Sequence, residues 1–234
     1  EDSDSDDRSA LRKRILEINR ETARFFHSCL MSEQGKTAYE YLIRRGRDRK
    51  TIRHFGLGYS PAGWHDLCNF LKSKGFSEQE MVAANVASES KKGGVFDRFR
   101  NRVMFPIIDL RGNVVAFGGR ALDDSSAKYL NTSDTPVFKK SKNLFALNFA
   151  KTSKLPGLIL AEGYMDVIAM HQAGFTNAVA SLGTALTSGH ASLVKRYTKE
   201  VLLLYDSDGA GIRAALRAIP ILREAGVTSR VVSL

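Results

Sequence analysis

The chain has little of what would staple a fold, span a membrane or build a fibre. Two of its 234 residues are cysteine, Cys29 and Cys68, and they form no Cys-x-x-Cys pair. A zinc ribbon and a disulfide framework are therefore excluded, and a reducing compartment is the default expectation. Five prolines and 19 glycines rule out a collagen-like or proline-rich chain. No apolar run approaches the roughly 18 residues of a membrane-spanning helix, so no membrane partner is expected. There is no G-x-x-x-x-G-K-[ST] loop, and none of the five histidines shows ligand spacing. Acidic residues are the minority charge, 25 against 35 lysines and arginines. Five of them (Glu1, Asp2, Asp4, Asp6, Asp7) crowd into the first seven residues, the reverse of a signal peptide.

What is present is an ordinary globular composition, 43% hydrophobic and 26% charged. The length allows one large domain or two modest ones with a real core. A net charge of +10 favours a polyanionic partner: nucleic acid, nucleotide or anionic membrane. Solubility alone would give the same balance, so composition leaves both readings open.

Residues 1–7 are expected to form a disordered acidic tail. In 8–31, Leu11, Ile15, Ile18, Phe25 or Phe26 and Cys29 recur at helical spacing. Further helices are expected over 34–45, 48–55 and 64–74, with Ser77 capping a short one. Trp64 reads as a packing anchor. Near Gly93 the pattern becomes alternating. Strands are expected over 102–109 and 113–119, joined at the turn Arg111-Gly112-Asn113. Residues 123–145 are loop-rich. From 157 onward short apolar runs alternate with helical stretches: strands at 158–160, 177–182, 201–205 and 229–234, helices at 165–173, 188–198 and 210–225. That alternation predicts a parallel α/β sheet. The expected division is a basic α+β part over 8–145 and a parallel-sheet domain over 146–234.

In open α/β sheets the working groups gather at the carboxyl ends of the strands. Here those ends are acidic: Glu162-Gly163 after one strand, Asp206-Ser207-Asp208-Gly209 after another. If strand geometry continues, Asp206 and Asp208 point to one side. If the two strands are neighbours, Glu162 faces them. Three carboxylates about 4 Å apart would repel by roughly 4 kcal/mol per pair at a moderate dielectric. A divalent cation would offset that, and an oxygen-only set selects Mg2+ or Mn2+ over zinc. Asp208 reads equally as a helix N-cap, and Glu162 as a lone exposed acid. Gly163 and Gly209 fit a tight turn or a close backbone approach.

The segment Asp97-Arg-Phe-Arg-Asn-Arg102 is the other unusual feature. In an extended chain Arg98, Arg100 and Arg102 share one face, a ladder suited to phosphates. The alternative is a charged strand edge that blocks pairing. Arg120 ends the next strand, and Lys128, Tyr129, Asn131, Lys139 and Lys140 follow in loops. Tyr129 could stack a base. Arg45 lies at a helix end, where a cation also suits the dipole.

Glu162-Gly-Tyr-Met-Asp166, Ser181-Leu-Gly-Thr-Ala-Leu186 and Asp206-Ser-Asp-Gly-Ala-Gly211 resemble the TOPRIM domain of bacterial DnaG-type DNA primases. Upstream, Tyr41-Leu, Arg45-Gly46, Gly58-Tyr-Ser-Pro61, Arg98-Phe-Arg-Asn-Arg-Val-Met-Phe-Pro-Ile107, Gly118-Gly-Arg120 and Lys128-Tyr-Leu-Asn131 are similar to the same family's basic subdomain. The resemblance covers about 8–234. It implies an enzyme that copies single-stranded DNA into short RNA primers by two-metal nucleotidyl transfer, in the bacterial cytoplasm at the replication fork. It implies Glu162, Asp206 and Asp208 as the metal-site acids, with Glu162 as ligand or general base, and Asp166 in support. Arg45, Arg98, Arg100, Arg102, Arg120, Lys128 and Lys140 are implied contacts for template, ribonucleoside triphosphate or RNA–DNA hybrid.

The family's zinc-binding module and its helicase-binding domain have no counterpart here, and a further acidic motif would follow Leu234. A fragment without zinc, with weak activity alone, is the expectation, and the replicative helicase would be met through the missing domain. Two other classes share parts of the pattern. One is a TOPRIM-type nuclease or topoisomerase. The other is a non-catalytic single-strand-binding module.

Overall fold

A computed structural model describes residues 2–124 and 127–233. They fold as two compact units. The first takes the chain up to Ile107 together with Asn113–Phe138, and the second takes Ile108–Gly112 and everything from Lys139 on.

The first unit opens with the helices α1 (Asp2–Leu30), α2 (Lys36–Arg44) and α3 (Arg49–His54). The stripe read from sequence lies on the buried face of α1: Ile15, Ile18, Phe26 and Cys29 are all buried, and Leu30 joins them. The helix begins at Asp2, so the acidic stretch expected as a separate tail is instead its opening turns. Glu1 lies outside the described residues. Next come β1 (Gly58–Ser60), α4 (Asp66–Ser73), α5 (Glu78–Ala83), β2 (Ala87–Glu89) and β3 (Val95–Asp97). Ser77 caps α5 as expected, in a reciprocal box with Glu80.

β4 (Arg102–Ile108) and β5 (Val114–Ala121) match the expected strand pair, with Gly112 at φ 88° in the turn. With β1 and β6 (Tyr129–Asn131) they form a sheet of order β1-β4-β5-β6, while β2 and β3 pair antiparallel. β1, β2, β3 and β6 are three residues each, too short for alternation to reveal them.

In the second unit α6 (Leu147–Ala150) precedes β7 (Leu158–Ala161), α7 (Tyr164–Gln172), β8 (Ala178–Ala180), α8 (Ser188–Lys195), β9 (Glu200–Tyr205), α9 (Gly209–Glu224) and β10 (Thr228–Ser233). The strands form the expected parallel sheet, in the order β10-β9-β7-β8. Leu158, Leu160 and Leu203 pack with Val194, Ala215 and Leu222 from α8 and α9. The boundary falls earlier than expected, after Phe138 rather than after residue 145. The cause is local bonding. Phe145 bridges to Ala180, Thr187 Oγ1 donates to the Ser141 carbonyl, and His190 Nε2 meets the Lys140 carbonyl at 2.7 Å.

Candidate functional site

The strand order reverses between β7 and β9: the chain leaves β7 for β8 on one side and β9 for β10 on the other. Such a switch point opens a crevice at the carboxyl ends of the strands. Glu162 follows β7 and Asp206 follows β9, so the two acidic loops flank that crevice as expected. The bond that joins them involves main chain. Asp206 N–H donates to Glu162 Oε1 at 3.0 Å. Asp208 takes the N-cap role: its Oδ1 accepts from Gly211 N–H at 2.7 Å, opening α9. Glu162, Asp166, Asp206 and Asp208 are all exposed.

Desolvation raises the Glu162 carboxyl above the usual range. The Asp206 N–H bond opposes the rise, and the negative charges of Asp206, Asp208 and Asp166 add to it. The donor set is all oxygen, which suits a hard divalent cation, and clustered negative charge is what such a cation relieves. Among the described residues no group of three or more His, Cys, Asp or Glu is drawn together tightly enough to hold a metal ion. The residues thus fit Mg2+ or Mn2+ in chemistry and in placement along one rim, but the full convergence expected from sequence is not reached. The strand ends at Tyr205, so Asp206 and Asp208 are no longer set by its alternation.

The close backbone approach expected at Gly163 and Gly209 lies at Gly211. A Cβ there would stand 2.0 Å from the Asp206 carbonyl and 2.8 Å from Glu162 Oε1. A Cβ on Gly163 would meet only the Asp166 carboxylate, at 3.5 Å, and one on Gly209 only the Arg213 side chain, at 3.1 Å. Beside the rim is a cavity of about 300 Å³ lined by Glu162, Ser181, Thr184, Tyr205, Gly211 and Arg217. Burial, aided by Glu162, pushes the Tyr205 phenol up to about 12. Tyr205 and Arg217 are not singled out by sequence, since nothing local marks a strand's last apolar residue or a mid-helix arginine as lining a cavity. Lys140 is half-buried in this same unit, in a short 3-10 turn.

In the first unit the arginine ladder does not form. β3 ends at Asp97 and β4 begins at Arg102, and between them Asn101 turns the chain at φ 51°. The three arginines separate. Arg102 is 5% exposed, and its Nη1 donates to the carbonyls of Gly119 and Ala127 at 3.2 and 2.8 Å. This corrects its expected role as a surface phosphate contact. Arg98 Nη2 donates to the Asn131 carbonyl at 3.1 Å. Arg100 stacks its guanidinium 3.9 Å from the centre of the Trp64 ring, and also donates to the Asp97 carbonyl. Trp64, expected as a packing anchor, is 57% exposed.

Asp97 fixes this corner from below. Its buried carboxylate accepts the N–H groups of Leu67 and Cys68 at 2.8 Å each, at the start of α4. Its own N–H donates to the Trp64 carbonyl at 2.7 Å. Arg45 and Lys128 are exposed, and Tyr129 is 38% exposed. Arg120 meets the Tyr41 hydroxyl through Nε, and its guanidinium carbon stands 5.6 Å from the centre of the Tyr129 ring.

With these features in place, known proteins can be compared. The family profile described as "DNA primase catalytic core, N-terminal domain" matches residues 25–151, and "Toprim domain" matches 157–233. The acid-rimmed parallel sheet is thus a Toprim domain, the class that the fold and the rim define. The chain as a whole belongs to the DNA primase catalytic-core family. A DNA primase of Clostridium acetobutylicum is 47% identical over 222 residues, covering 94% of this chain and 37% of that protein. One of Deinococcus radiodurans is 47% identical over 209 residues, covering 88% and 36%. The chain therefore spans little more than a third of the length of these relatives. Among solved structures, a DnaG primase catalytic domain bound to ssDNA is 35% identical with a TM-score of 0.88, covering 97% of this chain and 74% of that one. The RNA polymerase domain of Mycobacterium tuberculosis primase DnaG is 37% identical, with a TM-score of 0.88 and coverage of 95% and 76%. No described helix is long and apolar enough to cross a membrane.

Proposed function

We propose that this chain carries the nucleotidyl-transfer core of a primase, which extends a short RNA primer on a single-stranded DNA template. The observation that carries the reading is the hydrogen bond of 3.0 Å between Glu162 and Asp206, which follow the neighbouring strands β7 and β9 at the switch point. Glu162, Asp206 and Asp208 would hold Mg2+ or Mn2+. Such an ion, when bound, neutralises triphosphate charge and favours loss of the primer hydroxyl's proton.

The protein's own groups have separable tasks. The Asp206 N–H holds Glu162 Oε1 and so orients its other oxygen. Asp208 ties the rim to the start of α9. In the first unit Arg100 on Trp64, together with Arg45, Arg98, Arg120, Lys128, Tyr129 and Asn131, supplies charge and stacking surface for the template or the incoming ribonucleotide. Lys140 adds a cation in the second unit. A helicase partner would be met through segments outside this chain.

Incorporation of radiolabelled ribonucleotides on single-stranded DNA with Mg2+ or Mn2+ tests the reading. Asp206→Asn is expected to abolish both incorporation and Mn2+ binding while strand binding survives. Incorporation by Asp206→Asn at the parent's rate would remove the acidic rim from the chemistry.

A further inference from the structure

Tyr41 belongs neither to the acidic rim nor to the Trp64 stack, yet among the described residues its hydroxyl is taken up by a single partner. Nε of Arg120 donates to Tyr41 Oη at 2.5 Å. The guanidinium carbon stands 5.5 Å from the centre of the Tyr41 ring and 5.6 Å from that of Tyr129. Tyr41 comes from α2, Arg120 from β5 and Tyr129 from β6, where Tyr129 pairs with Arg120 across the ladder. Three elements of the first unit thus meet at one side chain. Nη1 and Nη2 of Arg120 make no hydrogen bond with any described residue.

A guanidinium is a flat fork of five N–H donors. Committing Nε to a fixed acceptor leaves the four outer N–H groups for one oxyanion held by two parallel bonds. A phenylalanine at 41 would keep the ring but release Nε, and the fork would turn freely about its stem. We infer that Tyr41 is a positioning residue. It fixes the plane of Arg120 through the Nε bond, beside the Tyr129 ring, and makes the outer edge of Arg120 a preformed receptor for a phosphate group of the nucleic acid or the nucleotide. Ordering the side chain before the ligand arrives lowers the cost of binding. The inference rests on the reading of Arg120 as a phosphate contact.

The test is fluorescence anisotropy of a labelled single strand across a salt series, repeated with a ribonucleoside triphosphate to tell a strand phosphate from a nucleotide's. The proteins are the parent chain, Tyr41→Phe, Arg120→Ala and the double variant, each checked by thermal melting. Tyr41→Phe is expected to weaken binding about fivefold at every salt concentration, with an unchanged salt slope because the charge remains. Arg120→Ala is expected to weaken it and to lower the strand's slope by about 0.7. On the Arg120→Ala background Tyr41→Phe should do nothing more, because the two act as one unit. In a 15N spectrum the Arg120 Nε–H signal, protected in the parent, should broaden in Tyr41→Phe. If Tyr41→Phe shifts only the melting temperature, or weakens binding equally with and without Arg120, Tyr41 is merely structural and the inference is overturned while Arg120 keeps its role. If Arg120→Ala matches the parent in affinity and slope for both ligands, the reading of Arg120 falls and the inference falls with it.

Discussion

Glu162 Oε1 and the main-chain N–H of Asp206 lie 3.0 Å apart, so the loop that closes β7 is fastened to the loop that closes β9. Gly211 passes beneath both, near enough that a methyl group would meet the Asp206 carbonyl and the Glu162 carboxylate together. The rim is therefore set by three short stretches of chain, two of which contact the third through atoms that every residue carries.

Gly211→Ala follows directly. Its Cβ would sit 2.0 Å from a main-chain oxygen, which cannot swing aside as a side chain can. The expected loss is about 1–3 kcal/mol, the usual range for overpacking, read as a lower midpoint in urea. Mn2+ affinity measured by calorimetry should fall with it. A variant as stable as the parent would show that the α9 start can retreat.

Glu162→Gln should stabilise the metal-free protein at neutral pH. Desolvation and the neighbouring carboxylates raise the carboxyl above its usual range, with the Asp206 N–H bond opposing them. The folded state thus keeps its proton to higher pH than the unfolded chain does. Stability then falls as pH rises through the interval between the two values. The variant should melt higher than the parent at about pH 8 and alike at about pH 4, because below both values the parent is protonated in either state. Calorimetric scans across that range check it, and an equal gap at both ends would refute the electrostatic account.

His190 titrates in the opposite direction. It is fully buried, and burial lowers its value although the Lys140 and Asn143 carbonyls partly oppose this. Nδ1 accepts the Thr187 N–H, so the neutral ring carries its proton on Nε2, toward the Lys140 carbonyl. The unfolded chain takes up a proton near the ordinary histidine value, so native stability is lost as pH falls below about 6.5. His190→Gln should flatten that limb of the melting curve. If the parent and the variant decline in parallel from pH 7.5 to about 5.5, His190 is not the group responsible.

Trp64 is the one tryptophan in the chain and is 57% exposed, so its emission reports directly on that surface. Saturating single-stranded DNA should quench it. Trp64→Leu should weaken strand binding by about tenfold without changing the salt slope, since stacking of one base contributes about 1–3 kcal/mol and no charge is lost. Unchanged emission at saturation would place the strand elsewhere.

The parts of this fold that were legible are those written in short-range pattern. Leu158–Leu160 and Val201–Tyr205 are apolar runs bounded by glycine and charge, and the acids that follow them fall on one edge of the sheet because the two strands are parallel. The stripe Ile15, Ile18 and Phe26 needed only helical spacing. The arginine segment was misread because one residue decides it. Asn101 at a positive φ breaks the extended chain, and no alternation rule foresees that. The burial of Arg102 depends on carbonyls at Gly119 and Ala127, far along the chain. The exposed Trp64 and the buried Asp97 that holds the start of α4 likewise depend on contacts between segments, which sequence spacing does not encode.

The enclosure of Arg102 also bears on how the molecule meets a polyelectrolyte. A cation already satisfied by two internal carbonyls displaces no sodium or potassium from a phosphate backbone. The number of ions released on association is therefore smaller than a tally of arginines along 98–102 would give, and the ionic-strength dependence of binding reflects only the side chains left facing outward.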